Sequence, residues 1–268
     1  MIPELLEFAA LQSAYATGAL TPTMLVKALL ARIAAYPDKA VFISLVPEQE
    51  LLAQASALEA AGPEGKALYG IPFVAKDNID VMGIPTTAGC PAFAYMPAQD
   101  AVTIARLRAA GAILLGKTNL DQFATGLNGT RSPYGAPRSV FNAAYISGGS
   151  SSGSAVAVGA GLAAFSLGTD TAGSGRVPAA FNNLIGLKPT IGRLSATGMV
   201  PACKSLDCIS VFLLRHEFLR TLLAKATSGE KLATAIAWPC DETSLQATAE
   251  AASRGLITPI LVGPAALI

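Results

Sequence analysis

The sequence predicts an α/β body in which helices cover a sheet. Three observations carry that expectation. Apolar residues alternate along the chain between helical spacing and short β-branched or aromatic runs, which is the order of a layered α/β domain. Of the 268 residues, 52% are hydrophobic and 14% charged, with a mean hydropathy of +0.48, so most of the chain belongs in packed layers and not in solvated tails. A stretch rich in Gly, Ser, Asn and Pro, residues 126–154, reads as loop, and loops on such scaffolds are where binding and chemistry concentrate.

Taken in order, Glu4 to Tyr15 reads as a helix. Thr21 and Pro22 supply a cap and a first-turn proline for a second helix through TMLVKALLARIAAY. AVFISLV, residues 40–46, is a strand, and Pro47 to Ala61 returns to helix. GIPFVA, residues 70–75, reads as a buried strand, Ala101 to Ala110 as a helix, and AILLG, residues 112–116, as another strand. The uncharged run SAVAVGAGLAAFSL, Ser154 to Leu167, reads as a buried helix, being too short for the roughly 20 apolar residues that span a hydrocarbon core. From about Leu213 the character changes. Glu217 to Lys225 reads as a helix and Ala233 to Trp238 as a strand. Asp241 to Arg254 is an amphipathic helix with a capping box at Thr243 and Gln246 and a stop at Gly255, and Pro259 to Val262 is a strand, so the end of the chain is a small β-α-β segment.

Composition excludes several functions. The N-terminus has no basic region before its apolar residues and carries Glu4 and Glu7, unlike an export signal, so a soluble cytoplasmic protein is expected, without a membrane partner. A net charge of +1 with no Lys/Arg run gives no reason to expect nucleic acid. The four cysteines, Cys90, Cys203, Cys208 and Cys240, fall in no metal-ligand spacing and are expected to be free, buried thiols; no metal and no cofactor are expected. The chain has one histidine, His216, which confines or excludes Ser-His-Asp and two-histidine zinc chemistry.

Three stretches could carry chemistry. Gly148-Gly149-Ser150-Ser151-Ser152-Gly153-Ser154 has the composition of a flexible linker, but it runs into an apolar helix and so reads as a loop held at a helix N-terminus. Gly168-Thr169-Asp170-Thr171-Ala172-Gly173-Ser174-Gly175-Arg176 reads either as an ordinary tight turn, with Asp170 and Arg176 as a structural ion pair, or as a turn whose N–H groups converge on a reacting oxygen. Lys76, ending GIPFVAK, either reaches solvent or, if buried, has a lowered pKa and takes a proton from a hydroxyl. With no histidine before residue 216, a serine nucleophile needs such a base.

Together these motifs resemble the amidase signature family, whose members cleave or transfer amide nitrogen with a Lys-Ser-Ser triad on a mixed sheet covered by helices. The resemblance implies that Lys76 is the base, Ser150 a bridging serine that follows a cis peptide, and Ser174 the nucleophile. It implies an oxyanion hole from the N–H groups of Thr171, Ala172, Gly173 and Ser174, with Asp170 and Arg176 as scaffold. The runs over residues 168–190 and 196–212 are most similar to the allophanate hydrolase branch, which deaminates carboxylated urea. FATGLNGTRSPYGAP, residues 123–137, fits the same branch, with Gly126 at the wall of the substrate pocket.

The resemblance covers residues 1–212 and then stops, where family members continue and complete the sheet. Residues 216–268 resemble the beginning of a phosphate acetyl/butyryltransferase domain. The expected division is therefore 1–212, the N-terminal portion of an amidase signature domain, and 213–268, an acyltransferase-like fragment. The expected partner is a small-molecule amide, with a homodimer as the association left open. Two other readings stand beside amide hydrolysis: phosphate-dependent acyl transfer by the C-terminal segment, and a truncated chain without catalysis.

Overall fold

The computed structural model describes residue 4 and residues 6–214, 232–237, 249, 253 and 257–262. It divides into two compact units, Met1–Arg215 and His216–Ile268.

In the first unit the helices are α1 (Phe8–Ala16), α2 (Pro22–Ala35), α3 (Glu48–Ala61), α4 (Val102–Ala109), α5 (Ser152–Gly159) and α6 (Arg176–Phe181). The strands are β1 (Phe42–Leu45), β2 (Pro72–Lys76), β3 (Ile113–Thr118), β4 (Phe165–Asp170), β5 (Leu184–Leu187) and β6 (Cys208–Leu214). They form one six-stranded sheet in the order β1-β3-β2-β4-β6-β5. The pairs β2–β3 and β2–β4 are parallel, while β1–β3, β4–β6 and β5–β6 are antiparallel, so the sheet is mixed as expected. The central strands β2, β3 and β4 are buried along their whole length, which is why they read as continuous apolar runs without alternation.

Local sequence explains most boundaries. The Thr21 hydroxyl accepts the Met24 N–H at 3.3 Å, with Pro22 at the first helical position, so α2 starts where its cap places it. The face of α2 bearing Leu25, Val26, Leu29 and Ile33 is buried, and α2 packs on α3. In the core Phe165 of β4 stacks on Phe73 of β2 with centroids 5.1 Å apart, and Phe8 of α1 meets Phe165 edge-on at 5.6 Å.

Two expectations change. The first helix begins at Phe8, and Glu4 lies outside it, its carbonyl taken by Arg32 Nη1 at 2.9 Å. The apolar run over residues 154–167 is not one helix. α5 ends at Gly159, Gly161 turns the chain at φ +66°, and β4 begins at Phe165. The reason is tertiary: Ala164 N–H donates to Pro72 O at 3.0 Å, so pairing with β2 takes the second half of the run. Strands β5 and β6 go beyond the sequence expectation, although CISVFLL carries the β-branched and aromatic signature of a strand.

Cys90, Cys203 and Cys208 are free, but only Cys208 is buried; Cys90 and Cys203 lie in loops that leave them partly exposed, and Cys240 lies outside the described residues. Among the described residues no helix is long and apolar enough to cross a membrane.

In the second unit β7 (Leu232–Ala237) and β8 (Ile257–Val262) pair in parallel, Leu232 opposite Ile257, which is the pairing a β-α-β segment requires. The helices expected over 217–225 and 241–254 lie outside the described residues, apart from Ala249 and Ser253, which are helical; His216 lies outside them too.

Candidate active site

Lys76 is the last residue of β2, and its side chain is 0% exposed. Its Nζ lies 2.8 Å from Ser150 Oγ and 2.7 Å from Thr169 Oγ1. Burial pulls the ammonium down from 10.5 to about 7, with the carboxylates of Asp121, Asp207 and Asp170 opposing the shift from a distance. Of the two fates open to a lysine at a strand end, burial is the one found here.

Ser150 sits in the loop before α5, and the Gly149–Ser150 peptide is cis. The loop is tied down on every side. Gly149 N–H donates to Leu127 O at 2.8 Å, Asp121 N–H to Ser150 O at 3.0 Å, and Ser151 N–H to Ser174 O at 3.2 Å. Asp121, which is fully buried just after β3, organises the facing loop: its carboxylate accepts the N–H groups of Gly129 at 3.0 Å and Arg131 at 2.7 Å. Any Cβ at Gly149 or Gly126 would run into Asp121 Oδ2, so both must be glycine for the loops to close on that carboxylate. Continuing through Ser152 to Val158, α5 is entirely buried against the sheet, which makes the GGSSSGS stretch a rigid loop and not a linker.

Ser174 lies in the turn between β4 and α6 and is 3% exposed. Its hydroxyl reaches the Gly126 carbonyl at 3.5 Å, a weak contact that leaves it free to reorient. Among the described residues no hydrogen bond joins Ser174 Oγ to Ser150 Oγ in this conformation. Gly126 thus stands beside the serine, where the family resemblance puts a pocket wall.

The turn is built around Asp170. Its carboxylate accepts the N–H groups of Gly173 at 2.8 Å, Gly175 at 3.0 Å and Arg176 at 3.2 Å, and pairs with the Arg176 guanidinium through Nε and Nη2, each at 3.0 Å. Burial pushes the Asp170 carboxyl up, but these donors outweigh it and hold it at about 2. The ion pair expected as scaffold is therefore present. Gly173, at φ +140°, differs from the expectation for an oxyanion hole, because its N–H is already directed at Asp170. Thr171, Ala172 and Ser174 donate their N–H groups to no protein acceptor among the described residues. Lys188 Nζ braces the turn through Thr171 O at 2.5 Å, and Thr171 Oγ1 bonds Asp207.

Sequence reasoning does not single out Thr169, Asn78 or Asp121. Thr169 and Asn78 stand within the motif stretches around Ser174 and Lys76, and only the geometry sets them apart from their neighbours. Beside the site, Lys117 and Asp77 form a fully buried ion pair at 3.1 Å, with Thr87 Oγ1 donating to Asp77 at 2.5 Å and Lys117 donating to Thr86 at 2.7 Å. Among the described residues no group of His, Cys, Asp or Glu side chains is placed to hold a metal ion.

Known proteins resemble the chain over much of its length. The urea amidolyase of Lachancea kluyveri is 60% identical over 179 residues, 66% of this chain and 10% of that protein. The urea amidolyase of Saccharomyces cerevisiae is 60% identical over 174 residues, 65% of this chain and 10% of that protein. The solved allophanate hydrolase of Kluyveromyces lactis superposes with a TM-score of 0.78 at 43% identity, covering 94% of this chain and 46% of that one. The chain thus spans less than half the length of each of these three. The Amidase family model matches residues 24–256, and the chain belongs to that family.

Proposed function

We propose that the unit holding β1–β6 hydrolyses the C–N bond of a small amide, allophanate, and releases ammonia through a Lys76–Ser150–Ser174 relay. The observation that carries this reading is a fully buried lysine, brought to about 7, whose Nζ is 2.8 Å from a serine hydroxyl. A lysine neutral near pH 7 has a lone pair and can act as a base.

In the relay, neutral Lys76 accepts the Ser150 proton while Ser150 accepts that of Ser174, whose Oγ attacks the amide carbonyl carbon. The relay requires Ser174 Oγ to turn from Gly126 O to Ser150. The oxygen that gains charge is received by the N–H groups of Thr171, Ala172 and Ser174, while Gly173 serves the hole by shaping the turn through Asp170. The C–N bond breaks as the proton returns along the same path to the leaving nitrogen, which departs as ammonia. Water then gives its proton to the relay, attacks the acyl-enzyme and frees Ser174. Gly126 forms the pocket wall.

The choice of allophanate is supported by the likeness to the Kluyveromyces lactis enzyme and to the branch's sequence runs. The division at residues 212/213 belongs to the same reading; the boundary between the two compact units at Arg215/His216 supports it, while the Amidase match runs across it to residue 256. A serine-reactive fluorophosphonate is expected to label Ser174 in the folded protein, Lys76→Ala to suppress the labelling, and purified protein to release ammonia from allophanate unless Ser174 is Ala. Folded protein that resists the probe would sink the relay. Labelling without ammonia release would remove the substrate only.

A further inference from the structure

We infer that Thr169 is the positioning residue that aims the Lys76 lone pair at Ser150, and that Asn78 holds Thr169 in that role. The inference rests on the relay proposed above.

A neutral lysine amine has two N–H donors and one lone pair, and it is useful as a base only if the lone pair faces the hydroxyl that gives up its proton. Nζ has two hydroxyl neighbours at nearly equal distance, Ser150 Oγ at 2.8 Å and Thr169 Oγ1 at 2.7 Å. Distance alone therefore does not decide which of them donates to the lone pair.

The decision comes from Asn78. Its side-chain Nδ2 donates to the Val200 carbonyl at 2.8 Å, and Val200 N–H returns to Asn78 O at 2.8 Å. A carbonyl oxygen can only accept, so the amide is oriented with its nitrogen inward. The same Nδ2 lies 3.4 Å from Thr169 Oγ1, a long contact in which the amide is the donor. Thr169 Oγ1 thus already accepts from Asn78, and in the inferred arrangement it accepts an Nζ–H from Lys76 as well. One Nζ–H is spent on Thr169, and the lone pair turns to Ser150. Thr169 sits near the end of β4, and both neighbours belong to the segment at the end of β2, so the parallel β2–β4 pairing sets the geometry.

The test measures the rate of fluorophosphonate labelling of Ser174 against pH, with melting temperature measured in parallel, for wild type, Thr169→Val, Thr169→Ser and Asn78→Ala. Valine keeps the shape of threonine but cannot accept. Thr169→Val is expected to lower the high-pH plateau about tenfold or more. It is also expected to move the acidic limb to lower pH, because the ammonium form loses an acceptor. Serine restores both. Asn78→Ala lowers the plateau too, by letting the Thr169 hydroxyl turn its proton onto Nζ, and it decides the matter if Thr169→Val does not fold. A Thr169→Val plateau and limb equal to wild type overturn the inference, as does a serine variant as impaired as the valine one, or an Asn78→Ala plateau equal to wild type. Wild-type protein that is not labelled at Ser174 removes the relay and this inference with it, whereas failure of the inference alone leaves wild-type labelling intact and dependent on Lys76.

Discussion

At the scale of single residues, everything turns on the protonation of Lys76. Its ammonium is brought to about 7 by burial, so the reactive form gains population as pH rises. Labelling of Ser174 is expected to climb through an acidic limb centred near pH 7 and level off above it. Lys76→Arg should not rescue function, because a guanidinium stays protonated and offers no lone pair; we expect labelling to fall by about 10²–10⁴-fold relative to wild type. Lys76 itself is legible in the sequence as a candidate, because a chain with one histidine has few other bases to offer Ser150 or Ser174. Whether it is solvated is not legible, since a lysine at a strand end has the same sequence either way. Thr169 is not legible for a related reason: a threonine beside Asp170 reads as part of a turn until β2 brings Lys76 against it.

At the scale of elements, the site is a meeting of loops held by close backbone approach. Gly149→Ala would drive a methyl into Asp121 Oδ2 and Gly129 N, both of them buried and hydrogen-bonded to each other. Overpacking of this kind costs about 1–3 kcal/mol, and the expected result is a lower melting temperature together with loss of Ser174 labelling, because Ser150 is displaced with the loop. The pair β2–β3 carries a second dependency. Asp77→Ala leaves Lys117 buried without its carboxylate, which burial already pushes toward its neutral form. Breaking such a pair costs about 3–5 kcal/mol, measurable as a drop in the urea midpoint, and Lys117→Met combined with Asp77→Ala should recover part of it. Element types are legible where local signals agree with the fold, as with Thr21 and Pro22 at α2. The run at 154–167 misleads because Ala, Val and Gly support either conformation, and contact with β2 chooses the strand.

For the whole molecule, a buried lysine makes stability depend on pH. Below about pH 7 the folded and unfolded chains both carry the Lys76 proton, and burying that charge costs roughly 4–5 kcal/mol. Between 7 and the ordinary value of 10.5 the unfolded chain retains a proton that the folded chain has released. Unfolding then takes up a proton, so stability rises with pH across that window. Lys117, lowered by burial in spite of Asp77, acts in the same direction, while the raised tyrosines Tyr15 and Tyr95 act against it once the unfolded phenols ionise near pH 10. The difference between wild type and Lys76→Met isolates the first effect. Denaturation at pH 6 and pH 9 is expected to show the methionine variant's advantage at pH 6 shrinking by pH 9, and an advantage independent of pH would contradict a depressed Lys76.

The order of residues along this chain was enough to specify an α/β body, most of its helices and central strands, and the three stretches that supply lysine and serines, because caps, apolar periodicity and short Gly/Ser motifs act over a few neighbours. The pairing of β2 with β4, the enclosure of Lys76, the capture of the Gly173 N–H by Asp170 and the partnership of Thr169 with Asn78 came from folding in three dimensions. Desolvation and hydrogen-bond direction depend on groups that are distant along the chain and adjacent in space, and no local pattern records them.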